Sequence, residues 1–133
     1  MGVTHHLLDT HVLLWLLADP ASVPDSCRRV LADRDNRLLV SAASALEVAT
    51  KVRLGKLHAP ELVSSWPRRI AEIGASDLPI TVDHALNAGS LDWAHRDPFD
   101  RLLVAQAIQE AAVLVTVDPA IRHYPAVRVL TWG

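Results

Sequence analysis

Apolar and polar positions along the chain alternate between short β-like runs and longer stretches of helical period. His5 to Asp9 predicts a short apolar strand, closed by Asp9 and Thr10. Val12 to Ala18 is Leu-rich, has the length of a short helix, and is stopped by Asp19-Pro20. Pro24 opens a second helix to about Asp33, since proline is tolerated in a first turn. Arg37 to Val40 predicts a second strand, and Ser41 to Leu57 a helix with Gly55 near its end. A helix over Pro60 to Ile73, a brief strand over Leu78 to Thr81 and a helical piece over Asp83 to Ser90 follow. The clearest helix is Pro98 to Ala111, where Leu103, Val104, Ala107, Ile108 and Ala111 form one stripe at helical period. Val113 to Val117 is an apolar, β-branched strand, and Arg128 to Thr131 a last one.

Strands alternating with helices predict an α/β fold with a parallel sheet covered on both faces. Ligands in such folds bind outside the carboxyl ends of the strands. No internal repeat, low-complexity tract or linker interrupts the pattern, so a single domain over residues 1–133 is expected.

Composition narrows the class. Half of the 133 residues are hydrophobic and 21% are charged, as in a globular domain with a sizeable core. Val12 to Ala18 and Ala111 to Val117 are too short for the ~20 residues that span a membrane. Met1 to His6 carries no Lys or Arg, so no signal peptide is read and a cytoplasmic protein with no membrane partner is expected. The single Cys27 cannot form an internal disulfide and reads as a small apolar filler. A net charge of −2 argues against strong non-specific nucleic-acid binding through counterion release. It leaves room for an RNA enzyme, because carboxylate-held metal ions supply the positive charge that lysines otherwise provide.

Four acids then stand out. Asp9 and Asp118 follow predicted strands, Asp100 lies in the first turn of the clearest helix, and Glu47 lies in the helix after the second strand. Singly, each has a structural explanation. Asp9 and Asp118 are placed to cap helices, Ser44 and Glu47 are spaced as a capping box, and Glu47 is also spaced to pair with Lys51. Asp97 before Pro98 is an N-cap that puts Asp100 at N3, where the helix dipole favours negative charge. Together, in a parallel sheet, they converge on one edge, where carboxylates stay ionised only with a strong countercharge. No Arg near these ends reads as a dedicated clamp. A divalent cation is the economical alternative, and all-oxygen ligation selects Mg²⁺ or Mn²⁺ over zinc. Such a site suits phosphodiester hydrolysis.

Four strings carry a resemblance: LLDTHVLLWLL at Leu7–Leu17, SAASALEVATKVRLGKL at Ser41–Leu57, HRDPFDRLLVAQA at His95–Ala107 and LVTVD at Leu114–Asp118. In this order they resemble the PIN-domain family, specifically its VapC-type toxins. The resemblance implies a three-layer α/β/α domain with a central parallel sheet of about five strands. It also implies Mg²⁺- or Mn²⁺-dependent RNA cleavage that leaves a 5′-phosphate and a 3′-hydroxyl. On it, Asp9, Glu47, Asp100 and Asp118 are the catalytic acids, with Asp9, Asp100 and Asp118 holding the metal. Glu47 completes the shell or acts as general base. Asp97 is an accessory or only a cap, and Thr116 is placed to orient a metal-bound water. Arg101 and Arg96 are candidates for substrate phosphate, or else are solvated or paired with neighbouring acids. A VapB-like antitoxin, an RNA substrate and a homodimer are the partners implied.

Competing patterns are weaker. His95-Arg96-Asp97 mimics a kinase tripeptide without the rest of that motif set. His5, His6 and His11 lack a partner at ligand spacing, and the four tryptophans read as core or interface anchors. A phosphoryl-transfer domain would want a late lysine, whereas Lys51 and Lys56 lie in the first half. A silent binding module, in which the acids are only caps, remains the non-enzymatic alternative.

Overall fold

A computed structural model of the protein describes residues 2–133. Five strands, β1 (Thr4–Leu8), β2 (Asn36–Ser41), β3 (Ala75–Leu78), β4 (Val113–Val115) and β5 (Val129–Leu130), form one sheet in the order β3-β2-β1-β4-β5. Every pairing is parallel. The first strand is therefore central, with Leu8 in register with Val40 of β2 on one side and Val115 of β4 on the other. The chain winds outward in both directions from β1, which makes its carboxyl end the switch point where such sheets bind ligands.

The helices are α1 (Thr10–Ala18), α2 (Asp25–Ala32), α3 (Ala42–Arg53), α4 (Pro60–Ser64), α5 (Trp66–Glu72), α6 (Val82–Ser90), α7 (Pro98–Gln109) and α8 (Pro119–Arg122). Leu7 and Leu114 pack with Leu103, Val104 and Ala107 of α7 and Ile121 of α8. Leu8, Val40 and Val115 pack on the opposite face with Val12 and Leu13 of α1, Leu31 of α2 and Ile70 of α5. Successive strand residues thus feed different cores, and burial of both faces explains the unbroken apolar run at Leu7-Leu8. The result is a three-layer α/β/α domain. No helix among the described residues is long and apolar enough to cross a membrane.

Several elements differ from the sequence pattern: the helix expected over Ser41 to Leu57 ends at Arg53, and the strand expected over Val113 to Val117 ends at Val115. The helix expected over Pro60 to Ile73 is two, broken at Ser65. Pro67 has no N–H for the carbonyl of Val63, so a continuous ladder is impossible there. The strand expected at Leu78 to Thr81 is Ala75–Leu78 instead. Gly74, at φ +71°, turns the chain out of α5 directly into the ladder, and Pro79 ends it. The helix expected to reach Ala111 stops at Gln109, and Ala111 takes up the left-handed conformation at φ +53°.

Two buried polar contacts register the site-bearing helices. Ser41, the N-cap of α3, accepts from the Ala43 N–H at 2.9 Å and donates its hydroxyl to Gln106 of α7 at 2.5 Å. Thr10 at the start of α1 shares a 2.8 Å hydrogen bond with Ser44 of α3. The capping box expected of Ser44 and Glu47 is absent, because Ser44 lies inside the helix and is spent on Thr10.

Candidate active site

The carboxyl ends of β1 and β4 and the first turn of α7 open on a cleft of about 450 Å³. Asp9, Glu47, Asp97, Asp100 and Asp118 all line it. Each acid arrives by a different local device.

Asp9 is the N-cap residue of α1, yet its carboxylate makes no capping bond. Its N–H donates to the Val115 carbonyl at 2.9 Å, and the buried Thr116 hydroxyl donates to its Oδ2 at 2.6 Å. The same Thr116 oxygen accepts from the Asp118 N–H at 3.0 Å. Thr116 is fully buried and does not line the cleft, so it holds Asp9 and the Asp118 backbone rather than facing a water.

Asp118 caps α8 through Oδ1, accepting from Ala120 N–H at 2.8 Å. Asp97 caps α7 with one oxygen that accepts from Phe99 and Asp100. Both caps form with one oxygen of the carboxylate, so capping and lining the cleft coexist. Asp100 stands at N3 of α7, and its Oδ2 lies 2.7 Å from His95 Nε2. Glu47 projects from α3 and pairs with Lys51 at 2.7 Å, the i,i+4 contact its spacing predicts.

The electrostatics show a surplus of negative charge. Burial pushes the Asp100 carboxyl up to about 6. The His95 hydrogen bond works against this rise, while Asp97, Asp9 and Asp118 add to it. Burial also raises Asp9 above the usual carboxylate range, with Asp118 and Glu47 contributing and the Thr116 hydroxyl opposing. Five carboxylates face two ammonium groups, Lys51 and Lys56, and one of these is already paired. Among the described residues no three His, Cys, Asp or Glu side chains are drawn tightly enough to hold a metal ion as they stand. The acids share a cleft, not a closed cage.

The two arginines fall elsewhere. Arg101 spends all five of its N–H donors on main-chain carbonyls: Nε on Ala88 at 2.8 Å, Nη1 on Trp93 at 2.7 Å and His95 at 2.9 Å, Nη2 on Leu91 at 2.9 Å and Gly89 at 3.4 Å. It staples the connection between α6 and α7 and has no donor left for a phosphate. Arg96 is exposed outside the cleft, beside Arg101. Neither arginine lines the cleft that holds the acids. What sequence reasoning missed is His95, whose contact with Asp100 reaches across a helix cap with no periodic signal, and Lys56 on the cleft wall.

A parallel three-layer α/β/α domain with acids gathered at the switch point of its sheet is the class this chain defines. The PIN domain family model matches residues 6–127, and the chain belongs to that family. Ribonuclease VapC22 of Mycobacterium tuberculosis is 32% identical over 130 residues, covering 97% of this chain and 98% of that protein. Ribonuclease VapC16 of the same organism is 44% identical over 69 residues, 51% of this chain and about half (48%) of that protein. In structure, VapBC2 from Rickettsia felis, bound to a DNA fragment from its promoter, matches with a TM-score of 0.73 at 18% identity. That match covers 98% of this chain and 100% of the other and is a likeness of fold.

Proposed function

We propose that this protein is a divalent-metal-dependent endoribonuclease, the toxin of a VapBC-type toxin–antitoxin pair. The observation that carries the reading is the convergence of Asp9, Glu47, Asp97, Asp100 and Asp118 on one cleft at the carboxyl edge of the sheet. The relatives named ribonucleases support the reaction class, and the matched toxin–antitoxin fold supports a VapB-like partner.

The donor set fits Mg²⁺ or Mn²⁺. It is all oxygen, and five carboxylates face two lysines there; burial first, and neighbouring carboxylates after it, raise the Asp9 and Asp100 carboxyls, so a cation in the cleft would be favoured. Asp9, Asp100 and Asp118 would hold the ion. Bound there, it would supply a water of lowered pKa and positive charge against the phosphate. Thr116 fixes the Asp9 carboxylate, and His95 fixes Asp100. Glu47 completes the ring of acids, as a further ligand or as the base that takes the proton of the attacking water. Water adds to phosphorus, the bond to the 3′-oxygen breaks, and the products are a 5′-phosphate and a 3′-hydroxyl. A cytoplasmic protein and a homodimer complete this reading.

The test is incubation of total cellular RNA with the purified protein in Mn²⁺ or Mg²⁺, with and without EDTA. Cleavage that EDTA abolishes is the expected result. RNA left intact in both metals, or cut equally in EDTA, would overturn the reading.

A further inference from the structure

We infer that Lys56 is the phosphate-binding cation of the cleft, contacting an RNA backbone phosphate beside the one that is cut. The inference rests on the nuclease reading above and adds a residue to it. An acid-lined cleft repels a polyanion, so substrate entry needs positive charge on its walls as well as at its floor. The arginines do not provide it: Arg101 is consumed by five carbonyls, and Arg96 lies outside the cleft. Two lysines line the cleft, and they differ. Lys51 is half-buried and bonded to Glu47 at 2.7 Å. Lys56 is exposed and makes no ion pair among the described residues, so its ammonium is available to a ligand.

Its place is set by the backbone. After α3 the chain turns at Gly55, φ +73°, and the N–H groups of Lys56 and Leu57 return to the Lys51 carbonyl at 2.8 and 3.2 Å. A left-handed residue followed by bonds back into the last turn is a helix C-terminal lock. It sets Lys56 and Leu57 on the cleft instead of letting the chain run on. The negative end of the α3 dipole is also a favourable setting for a cation.

The experiment measures binding of a fluorescein-labelled single-stranded RNA by anisotropy, in an Asp100→Asn background that leaves the RNA uncut. Adding Lys56→Ala is expected to weaken binding about fivefold to tenfold and to flatten the dependence of log Kd on log salt by about 0.7, one phosphate contact. Lys56→Arg should restore most of the affinity. Arg53→Ala removes the same charge from the exposed end of α3, outside the cleft, and should change neither quantity. Mn²⁺ affinity of the Lys56→Ala protein should equal that of the parent, which separates a phosphate contact from damage to the acidic site. Equal RNA affinity with and without Lys56, or an equal loss from Arg53→Ala, would overturn the assignment alone. If the parent protein, with Asp100 and Lys56 intact, failed to cut RNA in Mn²⁺ or Mg²⁺, the nuclease reading would fall and the assignment with it.

Discussion

Thr116 donates its hydroxyl to the Asp9 carboxylate at 2.6 Å, across two adjacent strands and 107 residues of chain. The same oxygen accepts the Asp118 N–H, so one buried hydroxyl ties two of the cleft's acids together. Thr116→Val keeps the shape and removes both bonds. It is expected to cost about 1–3 kcal/mol in urea unfolding, because a buried N–H loses its acceptor. It should also weaken Mn²⁺ binding, whereas Thr116→Ser should restore both. A Val variant indistinguishable from the parent would show that the hydroxyl positions nothing.

The Arg101 guanidinium predicts a stability effect. Lysine has three donors on one nitrogen and cannot reproduce five bonds spread around a planar fork. Arg101→Lys is expected to destabilise the protein by about 2–4 kcal/mol, since several carbonyls of the α6–α7 connection lose their donor. Chemical denaturation checks this. A loss of RNA affinity with unchanged stability would return Arg101 to the role of a substrate contact.

Ala111 carries a side chain at φ +53°, where Cβ crowds the following carbonyl. Ala111→Gly is expected to stabilise by about 0.5–1 kcal/mol, read as a raised Tm, because glycine is the residue that this position after α7 favours. A lowered Tm would show that the conformation costs the alanine nothing.

Much of this architecture is legible along the chain, and the failures have local causes. Leu103, Val104 and Ala107 of the α7 stripe pack on the core, while Ile108 and Ala111 of the same stripe are exposed, and the strands at Leu7-Leu8 and Val113–Val115 show as apolar runs because both faces of the sheet are covered. The break at Ser65 and the early start of β3 follow from Pro67 and Gly74, single residues that override hydrophobic pattern. The acids of the cleft were visible because strand ends in a parallel sheet have a common destination. Their supports were not. His95, Arg101 and Lys56 act through contacts made by loop geometry, which leaves no spacing to read.

The pH dependence follows from the upward shifts. Asp100 titrates at about 6 in the fold against 3.8 ordinarily, and Asp9 shifts the same way. A raised carboxyl contributes stability that is complete below its ordinary pKa and lost as pH rises through the folded one. In metal-free protein at about pH 7.5, Asp100→Asn should therefore be more stable than the parent by on the order of 2 kcal/mol. The difference should close below about pH 4. His6, lowered by burial, loses stability in the opposite direction as pH falls, but both proteins carry it. Thermal unfolding across this range checks the sign. An Asn variant less stable than the parent near neutrality would contradict it.

Mn²⁺ binding followed by electron paramagnetic resonance, on the parent and on Asp9→Asn, Asp100→Asn and Asp118→Asn, tests the central claim most directly. It needs no knowledge of which RNA is cut. The expected result is saturable binding by the parent and at least tenfold weaker binding by each variant, with all three still folded. Equal affinity in parent and variants would mean that these carboxylates are not one cation site, and the metal-dependent nuclease reading would lose its foundation.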